Sequence, residues 1–146
     1  MASHPDKLLN ARAALSTDGL VIQVHDSPER IDPAAWDALL EQQATPTPFM
    51  RMAYLRALHS SRSAARPTGW APCFMTVETA DGELLGGCPL YLKSHSYGEY
   101  VFDWAWADAY RRHGLKYYPK LLAAVPFTPV PGTRLLARDE GTRAVL

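Results

Sequence analysis

The chain has 146 residues, 15 Lys and Arg balanced by 15 Asp and Glu, and a formal net charge of zero, which is the size of one domain with a proper core. The lack of a basic excess argues against a general nucleic-acid binder, which neutralises phosphates with Lys and Arg. No apolar run approaches the length of a membrane span, and the stretch from Met1 to Lys7 lacks the apolar centre of a signal peptide, so the expected location is the cytoplasm.

Residues 1–19 are polar and mixed and read as a flexible N-terminal arm. Leu20 to His25 is a short β-branched run, read as a strand, and Asp26 to Arg30 as a turn. Asp32 and Pro33 predict a helix start, with Asp as N-cap and Pro at the first helical position. Trp36, Leu39 and Leu40 then fall at helical spacing. The helix stops before Thr45-Pro46-Thr47-Pro48. Phe49 to His59 predicts a second helix, with Phe49, Met52, Ala53, Leu55 and Leu58 as its apolar stripe. Ser60 to Gly69 is a loop by composition.

Cys73 to Thr79 and Leu84 to Leu92 flank Ala80-Asp81-Gly82, a strong hairpin signal. Gly86 and Gly87 inside the second run predict a bulge or a close backbone approach, and Pro89 belongs at that irregularity or on an edge. Glu99 to Asp103 reads as a further strand. Ala105 to His113 reads as a short helix ended by Gly114. Pro119 to Phe127 is another buried-type run, closed by turn residues from Thr128 to Gly132. Thr142 to Leu146 reads as the opening of an amphipathic helix, too short to be stable alone; on this reading the chain is the N-terminal part of something longer. The order of elements predicts a mixed α/β or α+β fold. Cys73 and Cys88, the only cysteines, are read as buried free thiols, because a cytosolic disulfide is disfavoured and their spacing makes no metal pattern.

The segment from Cys88 to His113 concentrates polar-tipped aromatics with two His, one Lys and several carboxylates. Six of the seven Tyr lie between positions 91 and 118, and three of the four Trp lie at position 70 or beyond. A ligand surface often uses such side chains, which combine contact area with a hydrogen-bonding handle.

The block from Pro89 to Tyr110 resembles a bacterial family of predicted N-acyltransferases related to the FemAB peptidoglycan-bridge enzymes. The likeness continues through Gly114 to Leu122 and Val125 to Val130. Pro48-Phe49, Tyr54-Leu55 and Thr68 to Pro72 upstream are also similar to that family, and the resemblance covers roughly residues 20–136. It implies two acetyltransferase-like (GNAT-type) units in tandem, of mostly antiparallel sheet flanked by helices. Residues 20–146 would be the first unit, incomplete at its C-terminus, with the second absent. It also implies transfer of an acyl or aminoacyl group to an amine, with a peptidoglycan precursor as one acceptor, acyl-CoA as a possible donor and no metal. The acyl donor would be handled largely by the second unit.

Acyl transfer to an amine needs a base and a donor that polarises the acyl carbonyl. Glu99, Asp103 and Asp108 are candidate bases, with His95 and His113 as alternatives; Tyr97, Tyr100 and Tyr110 are candidate donors. On a strand, Glu99 and Asp103 share one face, with Tyr100 and Phe102 on the other. That polar face is either solvated or an active site, and Glu99, Asp103 and Tyr100 are the catalytic set expected on the second reading. Asp103 is equally placed to be an N-cap. Trp104 and Trp106 cannot share one helical face, so one is expected in the core and the other along a cleft. Lys93, His95 and Tyr97 sit in a loop that either meets an anionic group through Lys93 or is solvated. With Trp104, Trp106 and Asp108 they make up the expected substrate-binding set. Arg111 and Arg112 read as a solvated helix end. His95 and His113 are not at metal-ligand spacing, and no phosphate loop or nucleophile elbow is present. Two other functions stay open: a non-catalytic module that binds a peptide or glycopeptide, and a truncated, inactive fragment.

Overall fold

A computed structural model describes residues 15–17 and 19–146. The expected arm falls outside the described residues, apart from Gly19 and Leu15–Thr17, which form strand β1. The fold is mixed α+β, built on two antiparallel sheets flanked by helices. The larger sheet has the order β1-β2-β4-β5-β8, with β2 at Leu20–His25, β4 at Phe74–Thr79, β5 at Leu84–Cys88 and β8 at Leu136–Ala137. The smaller has the order β3-β6-β7, with β3 at Trp70–Pro72, β6 at Leu90–Lys93 and β7 at Lys120–Ala123.

One long hairpin feeds both sheets. Its two arms break opposite each other, at Cys73 and at Pro89, and pass from the larger sheet into the smaller. Pro89 has no N–H to give a ladder, so a strand can break there at little cost. The Cys73 N–H still donates to the Leu90 carbonyl at 2.9 Å, which holds the two arms together through the crossing. Both cysteines are buried and free, and burial raises the Cys88 thiol to about 11.

Helix α1 (Pro33–Glu41) starts as expected, with Asp32 Oδ1 accepting from the Ala35 N–H at 2.7 Å. The second helix is shorter than its apolar stripe suggests. A single 3-10 turn at Pro48–Met50 precedes α2 (Met52–Ser60). Arg51, at the N-cap of α2, makes no side-chain cap bond; Asp37 of α1 accepts from the Met52 N–H at 2.8 Å instead. Trp36, Leu39, Leu40, Met50, Met52 and Leu55 form the core with Phe74, Tyr91 and Leu136. Gln43, just past α1, is buried and ties it to β8, donating to the Ala137 carbonyl at 3.0 Å.

The Gly86-Gly87 pair lets helices approach both faces of β5, because successive residues of a strand face opposite sides. A Cβ at Gly87 would lie 2.4 Å from Trp36 of α1, and one at Gly86 would lie 2.7 Å from Thr142 of α4 (Glu140–Val145). The ladder also shifts register opposite this site, between Val77 and Glu78.

Three expectations change. Glu99 to Asp103 is a loop, not a strand: β6 takes β7 and β3 as its neighbours, and Gly98 turns the chain away in a left-handed conformation (φ +82°). The run from Pro119 gives an edge strand that is only half covered, with Leu121 exposed. The next helix, α3, spans Trp104–Arg112 and ends in a left-handed Gly114 as expected, but it buries no residue, and Trp104 and Trp106 are 62% and 65% exposed. Neither Trp is therefore core. Among the described residues no helix is long and apolar enough to cross a membrane.

The small sheet carries Trp70, Lys93 and Lys120 directly opposite one another across its three strands. All three side chains share one face, with Tyr91 and Leu122 on the same side. Lys93, expected in a loop, is fully buried at the end of β6, its Nζ 3.6 Å from the centroid of the Trp70 ring. Burial lowers its pKa from 10.5 to about 8; Glu99 opposes that shift and Lys120 adds to it.

Gly87→Ala should destabilise the chain by roughly 3 kcal/mol in urea unfolding, since Trp36 is fully buried and cannot yield. Gly141→Ala, where the new methyl meets only ordinary contact at 3.4 Å, should be neutral or slightly stabilising. Equal losses in the two variants would remove the packing account of Gly87. Lys93 predicts a pH effect. The unfolded chain holds this proton up to about 10.5 and the folded chain only to about 8, so the cost of burying the charge is complete below pH 8 and fades as pH rises to 10.5. Cys88 works the other way above pH 9, so the readout is the difference from Lys93→Met. Wild type should gain on the order of 3 kcal/mol on the variant between pH 7 and 10.5; a difference constant with pH would contradict the buried-lysine reading.

Candidate functional site

The loop from Ser94 to Asp103 folds back over the lysine face of the small sheet. Lys93 Nζ donates to the Tyr97 carbonyl at 2.9 Å, the Tyr97 N–H donates to His95 Nδ1 at 3.2 Å, and the Glu99 N–H donates to the Ser96 carbonyl at 3.1 Å. Gly98 is needed at the bend for two reasons. Its φ is positive, and a Cβ there would lie 2.5 Å from Phe127 and 3.0 Å from Trp70 Nε1. The Phe127 N–H donates to the Gly98 carbonyl at 3.1 Å, and Phe127 itself holds a left-handed conformation (φ +59°), uncommon for a bulky residue.

Beyond the bend, Glu99 and Asp103 turn inward and Tyr100 turns out. The side chains of Glu99 and Asp103 are 8% and 16% exposed, whereas Tyr100 is 81% exposed. Both carboxylates meet Lys120 Nζ, Glu99 through Oε2 at 2.7 Å and Asp103 through Oδ2. Burial works against the Lys120 ammonium, but hydrogen bonds from it to Asp103 and Glu99 outweigh burial and raise its pKa. Asp103 precedes α3 but makes no cap bond, because its carboxylate is committed to Lys120.

This cluster lines a cleft of about 410 Å³. Trp70 and Gly98 also line it, and residues 122–125, 128–130 and Arg134 form the rest. Arg134 arrives after Gly132, donates one amino group to the Val130 carbonyl at 2.5 Å, and has its pKa lowered by burial. Three polar atoms of cleft residues are buried without a hydrogen-bond partner: Trp70 Nε1, Glu99 Oε1 and Arg134 Nη1. Such atoms are rare in folded proteins and each costs roughly 1–3 kcal/mol.

The structure brings Glu99, Asp103 and Tyr100 to one cleft, with Tyr100 at its rim. It does not bring the remaining expected residues there. Lys93 lies beneath, against Trp70 and the Tyr97 carbonyl. His95 packs edge-on against Tyr97, which is 63% exposed. Trp104 stacks on Phe102 with ring centroids 4.9 Å apart, and Trp106 stands on exposed α3. Asp108 pairs with Arg111 and Arg112 on the surface of α3. Among the described residues no group of three or more His, Cys, Asp or Glu is placed to hold a metal ion.

Sequence reasoning missed Lys120, Trp70 and Arg134. Lys120 sits in an apolar run, where a lone Lys at a strand start reads as solvent-exposed; two carboxylates at 99 and 103 with no nearby cation were the available hint. Nothing local marks Arg134, whose meaning depends on the cleft.

No curated protein and no solved structure matches the chain. A family model, FemAB-like, described as peptidoglycan biosynthesis/recognition, matches residues 27–146. That match takes in both sheets except β1 and β2, all four helices and every residue of the cleft. The chain belongs to the FemAB-like family of peptidoglycan biosynthesis and recognition.

Proposed function

We propose that the chain is the acceptor-binding unit of an N-acyltransferase, and that the cleft beside Glu99 holds the amine to be acylated. The observation that carries this reading is Glu99 itself. One of its oxygens is held by Lys120 at 2.7 Å and the other is buried, unpaired and beside the cleft. An amine N–H is the complement such an oxygen lacks. Family membership supports an acceptor from peptidoglycan chemistry, which offers amines on peptides.

In the proposed step the amine nitrogen attacks the acyl carbon of an activated ester or thioester. The N–C bond forms, the bond to the leaving oxygen or sulfur breaks, and the proton released by nitrogen passes to the Glu99 carboxylate. Lys120 and Asp103 fix the orientation of Glu99. Tyr100, at the rim, is the proposed donor to the developing oxyanion. The cleft does not fit acyl-CoA. A diphosphate carries more charge than the one unpaired guanidinium can neutralise, and Glu99 and Asp103 face the same space. The donor is therefore assigned to a second acetyltransferase-like unit, and the exposed face of α3 with Trp104 and Trp106 is the surface proposed to receive it. The stacked, exposed Phe102–Trp104 pair also favours a second reading, a module that binds a peptide or glycopeptide without catalysis.

The test is acyl transfer from simple acyl thioesters to amine-bearing peptides, followed by release of free thiol, in the chain and in any longer form that carries a second unit. Glu99→Gln should lower turnover by roughly 100-fold or more, the scale of general-base loss. Asp103→Asn and Tyr100→Phe should lower it less, without unfolding the protein. Full activity in Glu99→Gln and Tyr100→Phe would remove these roles. Peptide binding with no transfer in any form would leave the binding module as the function.

A further inference from the structure

We infer that the cleft also holds a carboxylate of its ligand, taken by Arg134. The inference rests on the acceptor reading of the same cleft and extends it from an amine to an amine-bearing molecule that also carries a free acid, such as a short peptide. Arg134 has no carboxylate partner among the described residues, and its one side-chain hydrogen bond goes to the Val130 carbonyl. Its Nη1 is buried and unpaired. A guanidinium is always charged, and a buried one without an anion is costly. The other arginines that pair here do so with acids on the surface, as Arg51 does with Glu41 and Arg111 with Asp108.

Arg134 is also accommodated by its own loop. Gly132 has φ +146°, and a Cβ there would lie 3.2 Å from Arg134 Nη1 and 3.3 Å from the Thr45 carbonyl, so the glycine leaves the guanidinium its place. Across the cleft, Trp70 is 1% exposed with its indole N–H unpaired, and the Glu99 side chain is 8% exposed with Oε1 unpaired. Of the five buried unpaired side-chain atoms among the described residues, His59 Nδ1 and Tyr118 OH lie elsewhere, and the other three belong to residues that line this one cleft. Their chemistry is a charged donor, a neutral donor and an anionic acceptor. A peptide carries the matching set: a carboxylate for Arg134, a carbonyl for Trp70 and an amine for Glu99. One free guanidinium group matches a singly charged carboxylate better than a phosphate, whose greater charge calls for more donors. Each of the three atoms is buried in the ligand-free chain, so binding requires a local movement that exposes it.

The experiment follows the Trp70 indole N–H in ¹H–¹⁵N spectra of the 146-residue chain, with the signal assigned by Trp70→Phe. The probes are glycylglycine, glycylglycinamide, N-acetylglycylglycine and inorganic phosphate. Glycylglycine should shift the signal and bind roughly tenfold or more tightly than glycylglycinamide, which lacks the acid. Arg134→Gln should erase that ratio while the Trp36 signal stays in place, and Arg134→Lys should restore part of it. Equal binding of acid and amide, tighter binding of phosphate than of the acids, or no shift with any probe would overturn the inference. A ratio that survives in Arg134→Gln and Arg134→Lys would do the same. The amine reading is separated by N-acetylglycylglycine and Glu99→Gln. If blocking the amine or removing the Glu99 charge changes nothing while the acid-to-amide ratio persists, the amine site fails and the carboxylate site stands.

Discussion

One half-buried ammonium holds the functional half of this structure together. Lys120 opens an edge strand of the small sheet, and its Nζ meets Glu99 and Asp103 from a loop that has no ladder of its own. Without a cation, two carboxylates this far from water would repel each other and pay a large desolvation cost. With it, they fix the 98–103 segment over the sheet and shape one wall of the cleft. The same ion cluster explains why Asp103 leaves α3 uncapped.

The cation row beneath the loop makes the arrangement sensitive to each member. Lys93 and Lys120 are direct cross-strand partners, a pairing that is unfavourable when both are charged. Lys120 keeps its proton through its two acids, whereas Lys93 is fully buried with a π face and a carbonyl for company and is pushed toward neutrality. The small sheet thus combines a buried lysine of lowered pKa, a strained turn at Phe127 and an unpaired donor within one surface. Cores avoid such combinations, and binding sites tolerate them because a ligand completes the hydrogen bonding.

Much of the scaffold was legible in the sequence because its signals are local. Asp32-Pro33 and Gly114 punctuate helices by cap chemistry, Asp81-Gly82 marks the hairpin, and the Gly86-Gly87 pair marks a close approach. What covers those glycines, Trp36 on one face and Thr142 on the other, is non-local and was not readable. The segment 99–103 shows the same boundary. Its alternation placed Glu99 and Asp103 together and Tyr100 opposite, and that division of sides holds, but it is enforced by Lys120 across 17 and 21 residues of sequence and not by a strand. Trp104 and Trp106 were expected to divide between core and cleft; neither enters the core or the cleft beside Glu99, because α3 buries none of its residues and both rings stay exposed. Lys93 was read from its polar neighbours as a loop residue, and the sheet register overrides that local composition.

The most direct test of the central claim is a structure of Lys120→Met by crystallography or NMR. Met keeps the apolar stem and removes the charge, so the strand itself should persist. The account predicts that Glu99 and Asp103 separate and turn to solvent, that the 98–103 segment leaves the sheet, and that the Trp70 indole becomes exposed while the core around Trp36 is unchanged. A Lys120→Met structure with Glu99 and Asp103 still side by side over the small sheet and the cleft intact would contradict it.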